Sequence, residues 1–173
     1  SGAEEVARLA AATKRRVLVC HSTRSFPGIR EVYRRVRSGQ LHLSHISGFF
    51  AVPRRNNQSR SGTRSWIDNL LWHHGCHQVD TALWMLGVDT VQGVRALSGK
   101  PHPQFGMAME ISIQFHTDAK QLVTIALTYN AEETLWVMRF LGDEDVLTFQ
   151  NGKLLNEKDE QVVPEHSIYN MLN

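Results

Sequence analysis

Cysteine is scarce in this 173-residue chain: Cys20 and Cys76 are the only two. Two thiols make no disulfide framework, so a reducing compartment such as the cytoplasm is expected. No apolar run reaches the roughly 18–20 residues that cross a bilayer, which excludes a helical span and a membrane partner. Neither G-x-G-x-x-G nor G-x-x-x-x-G-K-[ST] occurs, so the chain carries no readable phosphate-binding loop. It also lacks repeats, low-complexity segments, an initiator methionine and any secretory or transit pattern. With abrupt ends, it reads as a piece of a longer protein.

What is present is an ordinary globular composition, 42% hydrophobic and 21% charged, enough apolar surface for a packed core. The net charge of +2 hides a split: residues 1–64 hold 13 Lys/Arg and 3 Asp/Glu, residues 65–173 hold 6 and 14. A basic half of that kind suits either an anionic small molecule or a nucleic acid. No nucleic-acid motif is present, and Tyr33 is the one aromatic within the basic helix, so nucleic acid is not expected as a partner.

Period 3.6 predicts a helix over Ala3–Thr13, with Val6, Leu9, Ala10 and Thr13 on one face. The apolar run Val17-Leu18-Val19-Cys20 then predicts a buried parallel strand. Helix, basic turn and buried strand form the half-unit of an α/β nucleotide-binding domain. Pro27 suits a helix N1 position. That helix turns Ile29, Val32, Tyr33 and Val36 inward and Arg30, Arg34, Arg35 and Arg37 outward, and Gly39 stops it. Ile46–Val52 is expected as a strand, and the polar, basic stretch Pro53–Thr63 as a functional loop. Asp68–Leu86 is expected as a helix ended by Gly87.

Beyond Gly87 the period becomes two. Met107, Met109, Ile111, Ile113 and Phe115 alternate with polar neighbours, and Gln121–Tyr129 runs back with the same alternation. Thr134–Leu141, Asp145–Gln150 and, after the Asn151-Gly152 turn, Lys153–Asn156 follow as strands. Helices first and an antiparallel meander after them give an α+β domain with one large, mostly antiparallel, open-faced sheet and helices on one face.

The candidate chemistry sits at Trp66–Asp80. His73, His74 and His77 are three of nine histidines, and His73 and His77 share a helix face at i, i+4. Asp80 lies one turn beyond His77. Gly75 within the helix costs about 1 kcal/mol against alanine. Three readings stand side by side. His73 and His77 are metal ligands, although the metzincin-type glutamate position holds His74. Or one histidine is a general acid/base and the other its orienter, since imidazole titrates near neutrality. Or the cluster is a set of buried polar residues satisfied by the backbone.

Arg30, Arg34, Arg35 and Arg37 are expected as a solvated face, whereas Arg24, Arg54, Arg55, Arg60 and Arg64 are expected nearer an anion, which a planar guanidinium grips at two points. Trp66 and Trp72 flank the histidines and are the tryptophans expected to line a pocket; Trp84 and Trp136 read as core. Cys76 lies beside His77 without any CxxC pattern.

His74-Gly75-Cys76-His77-Gln78-Val79-Asp80, ending in Leu86-Gly87, resembles the D-x-G-x-H-x-x-D…L-G pattern of the glucose–fructose oxidoreductase and inositol dehydrogenase (Gfo/Idh/MocA) family. Val17–Cys20 followed by Arg24 and Phe26-Pro27 is similar to that family's hydrophobic-strand…N-x-R-F-x-P segment. Arg64-Ser65-Trp66, Leu70-Leu71-Trp72-His73-His74 and Pro101-His102-Pro103…Gly106–Gln114 resemble a semialdehyde dehydrogenase subgroup that uses NADP.

The resemblance implies residues 1–20 as a remnant of a Rossmann domain and 21–173 as the C-terminal substrate and oligomerisation domain. It implies NADP or NAD as cofactor, a small carboxylated substrate oxidised at a hydroxyl or hemiacetal carbon, and a homo-oligomer formed through the open sheet face. It places the acid/base role on His77, with His73 where the family has aspartate. Arg24, Arg64, Trp66, Asn69 and His74 become substrate-binding residues, and no metal is required. The family's glycine-rich loop and Glu-Lys-Pro lysine are absent from the chain, which by itself is expected to be inactive. A non-catalytic binding or scaffold protein is the alternative.

Overall fold

The computed structural model describes residues 2–53 and 71–163. Along them run α1 (Gly2–Thr13), a 3-10 turn Ser22–Ser25, α2 (Pro27–Arg37), β1 (Leu43–Ala51), a π-helical turn Leu71–Gly75 and α3 (Cys76–Leu86). Then come β2 (Gln92–Ser98), β3 (Glu110–His116), β4 (Leu122–Thr128), β5 (Leu135–Gly142), β6 (Val146–Gln150) and β7 (Lys153–Leu155). The strands form one sheet in the order β2-β3-β4-β1-β5-β6-β7.

Alternation decides which sheet face is covered. In β4, Val123, Ile125 and Leu127 are buried while Leu122 remains 49% exposed. The same phase buries Ile113 and Phe115 in β3, Met138 and Phe140 in β5, and Leu147 and Phe149 in β6. Onto that face pack Ile29 and Val32 of α2 and Ala82 and Met85 of α3. The opposite face of the sheet is open: Phe49 is exposed there, flanked in register by Ala126 and Val137, and His45 Nε2 meets the Thr124 hydroxyl at 2.9 Å. The fold is the expected α+β architecture with one broad sheet.

Local signals end the elements. Gly87 takes φ +69° and donates its N–H to Leu83 O at 2.9 Å, a left-handed cap that glycine adopts without strain. Asn151 and Gly152 both have positive φ, as a two-residue hairpin turn of the primed type requires. Gly48 serves packing instead. A Cβ there would meet the amide oxygen of Gln78, a side chain on α3 whose residue is 2% exposed.

One expectation changes, and two features of the sheet are new. Val17–Cys20 pairs with no strand of the sheet, and Leu18 is 91% exposed. An apolar run becomes a strand only where it lies alongside a strand edge, and this run pairs with neither edge of the sheet, β2 or β7. β1, a strand to which the sequence assigns no partner, pairs with β4 in parallel and with β5 antiparallel. The chain crosses over through α3 and the β2–β3 pair before β4 returns, the long connection a parallel pair needs. β2 is an additional edge strand paired antiparallel with β3. The apolar face of α1 is also uncovered among the described residues, with Val6 and Leu9 exposed.

One ion-pair network on α2 yields a pH prediction. Glu31 accepts from Arg34 Nε and Nη2, both at 2.8 Å, and from Arg35 Nε at 2.9 Å. Those hydrogen bonds, Arg34's first, hold its carboxyl down to about 2 against an ordinary 4.5. A depressed acid contributes stability above its unfolded pKa and loses it as pH falls toward the folded one. Thermal unfolding of Glu31→Gln should therefore show a smaller acid-side decline over that window. The difference is about 1 kcal/mol, because water screens the exposed arginine.

Candidate active site

Helix α3 has two working faces. Gln78, Thr81, Ala82 and Met85 are buried toward the sheet. His77, Asp80 and Trp84 fall at i, i+3 and i+7 on another ridge. Against that ridge lies the segment entering α2, which supplies His21 and Arg24. Arg24 donates to Asp80 through two nitrogens, Nε to Oδ2 at 2.8 Å and Nη2 to Oδ1 at 2.5 Å. His21 Nε2 lies 3.3 Å from the same Oδ1. The His21 and His77 rings are 6.1 Å apart, edge to face. Two arginines bracket an aromatic stack beside this cluster: Arg24 lies over Trp84, Trp84 stacks on Tyr33 at 3.8 Å, and Arg37 lies over Tyr33.

His77 is the group in this cluster suited to accept a proton. Burial pushes its imidazole below the ordinary value; His21 pushes the same way, and Asp80 pulls against both. A lowered pKa leaves His77 neutral near pH 7, with a lone pair to use. Its Nδ1 is buried and, among the described residues, has no hydrogen-bond partner; the same holds for Nδ1 of His21. Asp80 raises the Arg24 guanidinium further above its usual range, chiefly through their hydrogen bonds. Cys76 moves the other way from a nucleophile: burial raises its thiol pKa, which keeps it protonated and unreactive.

The π-helical turn preceding α3 carries the other two histidines. His74 stacks on Phe50 of β1 at 4.7 Å, and its Nδ1 pairs with the Tyr129 hydroxyl at 2.9 Å. His73 meets the His74 ring edge to face at 4.1 Å. Gly75 is buried where the wide turn tightens into α3. The structure thus gathers Arg24 and His77 at one cluster and His73 and His74 at the adjoining turn. Arg64, Trp66 and Asn69, with most of the basic loop, lie outside the described residues. Among the described residues no three His, Cys, Asp or Glu side chains lie close enough to hold a metal ion.

Two participants escape the sequence pattern. His21 follows directly on the apolar run Val17–Cys20, and a titratable residue at such a boundary is the signal that marks it. Tyr129 closes the alternation of β4 and is buried, and nothing in that alternation marks its hydroxyl as a partner for His74.

A model of the bacterial oxidoreductase C-terminal family matches residues 27–166. The chain belongs to this family. Its resemblance to the Gfo/Idh/MocA oxidoreductases holds in fold as well. The chain is 30% identical over 150 residues to 4-carboxy-2-hydroxymuconate-6-semialdehyde dehydrogenase of Sphingobium sp. strain SYK-6, a match covering 84% of the chain and 47% of that protein. UDP-N-acetylglucosamine 3-dehydrogenase from Acidithiobacillus ferrooxidans superposes with a TM-score of 0.72 at 18% identity, over 96% of this chain and 52% of that one. An oxidoreductase from Agrobacterium radiobacter, solved with NAD+, L-tartaric acid and magnesium, superposes with a TM-score of 0.74 at 16% identity, over 95% and 50%. The chain spans about half the length of these relatives.

A nicotinamide dinucleotide does not fit the residues of this oxidoreductase domain on their own. The cluster around His77 offers imidazoles and an already paired guanidinium, not a row of free backbone N–H groups, and the sequence has no glycine-rich loop. The residues suit proton transfer rather than phosphate binding.

Proposed function

We propose that this chain is the substrate domain of a nicotinamide-dependent dehydrogenase that oxidises a hydroxyl or cyclic hemiacetal carbon of a small carboxylated substrate, such as 4-carboxy-2-hydroxymuconate-6-semialdehyde. The observation that carries the reading is His77: a neutral imidazole, held low by burial, on the helix where the family pattern puts its acid/base residue. Oxidising a carbinol removes a proton from oxygen and a hydride from carbon. His77 takes the proton; NADP or NAD, held by residues outside this chain, supplies the hydride acceptor. His73 orients the site, His74 is steadied by Phe50 and Tyr129, and Arg64, Trp66 and Asn69 bind the carboxylated substrate. Arg24 binds substrate as well while its Nε and Nη2 grip Asp80.

Residues 1–20 close the dinucleotide-binding domain, whose sheet covers the exposed Val17–Val19 run, and 21–173 form the substrate domain. The open sheet face, centred on exposed Phe49, is the surface for self-association.

The test is turnover by the protein that carries this chain together with its dinucleotide-binding domain. Carboxylated semialdehydes are supplied with NADP+ or NAD+. Lactone and reduced cofactor should appear in equal amounts. If no carboxylated hemiacetal is oxidised with either cofactor while one still binds, the chain is a binding or scaffold domain instead.

A further inference from the structure

We propose that Arg24 and Asp80 are positioning residues for His77: the guanidinium cancels the carboxylate's charge, so that Asp80 draws no proton onto the His77 imidazole at neutral pH and His77 is ready as a base. The geometry is specific. One carboxylate faces three cationic or potentially cationic groups, Arg24 through two hydrogen bonds and His21 at 3.3 Å, with the His77 ring 6.1 Å from that of His21. A bidentate arginine takes both oxygens of the carboxylate. It is permanently charged, so the Asp80 carboxylate is met by a cation without a proton on His77. Trp84 fixes the guanidinium from the far side, 5.4 Å from its ring centre, and Trp84 is itself stacked on Tyr33.

The alternative arrangement, with Asp80 unpaired, would draw a proton onto an adjacent imidazole and remove the lone pair the reaction needs. His77 faces the His21 ring at 6.1 Å and shares α3 with Cys76 and Asp80; Arg24 is bound to Asp80, and His73 and His74 stand on the preceding π-helical turn. Among the described residues, His21 and Asp80 are the charges that act on it directly. Arg24 therefore acts on His77 through Asp80. The catalytic consequence rests on His77 being the base; the electrostatic arrangement does not.

The experiment is an NMR titration of the His77 ring nitrogens in the whole chain, which needs no turnover. In a His21→Gln background Asp80 has no second imidazole to pair with. Adding Arg24→Gln there should raise the His77 midpoint by about one pH unit relative to His21→Gln alone. Asp80→Asn, which keeps the carboxylate's shape and an acceptor for Arg24, should lower the midpoint from wild type, because the guanidinium is then unopposed. Amide spectra check that each variant is folded.

If the arginine variant does not fold, the sign of the Asp80→Asn shift decides. A His77 midpoint that stays put or moves the opposite way overturns the proposal. In the active enzyme the acid limb of kcat/KM should follow the His77 midpoint. A midpoint that moves in a protein without turnover keeps this electrostatic role and removes the catalytic one. An unmoved midpoint in an enzyme that needs His77 does the reverse.

Discussion

His77→Gln should lower kcat of the dehydrogenase by about 10²- to 10⁴-fold, the range by which a positioned general base accelerates proton transfer. Glutamine keeps a polar side chain of similar length and removes only the basic lone pair. The fold should tolerate the change: His77 Nδ1 has no partner to lose among the described residues, and the hydrogen bond from the Thr81 hydroxyl goes to the His77 main-chain carbonyl, which every residue has. The melting temperature should therefore stay within a few degrees of wild type, and dinucleotide affinity should persist because the imidazole contributes no phosphate contact. Steady-state kinetics and thermal unfolding on the same preparation separate the two effects. A kcat within threefold of wild type would remove His77 from the mechanism.

Asp80→Asn belongs in the same series. Its effect should appear chiefly in the pH at which kcat/KM falls and much less in the plateau above it. A residue that merely braced α3 would move stability and leave that pH unchanged. The pair of variants thus distinguishes the group that accepts a proton from the groups that set when it can.

Much of the sheet is legible because alternation records burial directly. Ile113 and Phe115 in β3, and Val123, Ile125 and Leu127 in β4, are buried at every second position, and period two is a local property that needs no knowledge of partners. β2 escapes because it has no buried face: Gln92–Ser98 is exposed at every residue at the sheet's edge, so nothing selects for alternation there.

Val17–Cys20 misleads for the complementary reason. Its apolar run reads as a segment that avoids water, but none of the described strands pairs with it and Leu18 stays exposed. The parallel pairing of β1 with β4 depends on the path of the connection between them, and strand composition says nothing about that path. At the site, His77 stands out because three histidines fall within five positions. The Arg24–Asp80 pair spans 56 positions and exists only once α3 has docked beside the segment entering α2.

That docking depends on the core beneath it, where Phe149→Ala should have the largest effect on stability. Phe149 is fully buried in β6. Its ring meets Trp136 at 4.9 Å and Phe26, the residue that caps the start of α2, at 5.6 Å. An added Cβ at Gly28 would come within 3.1 Å of it, so the first turn of α2 lies directly on this ring. Truncation removes buried apolar surface and leaves a cavity under the helix. Substitutions of that class cost about 3–5 kcal/mol, which for a domain of this size lowers the melting temperature by roughly 10 °C.

The loss should be larger than for Phe49→Ala on the open sheet face, where the ring is already partly in water. Because Phe26 follows Arg24 by two residues, the damage should also reach the site: the Arg24–Asp80 contact loosens as the start of α2 shifts. A Phe149→Ala protein that melts within 2 °C or so of wild type would show that α2 is held by its other contacts, and the site would then be insulated from this part of the core.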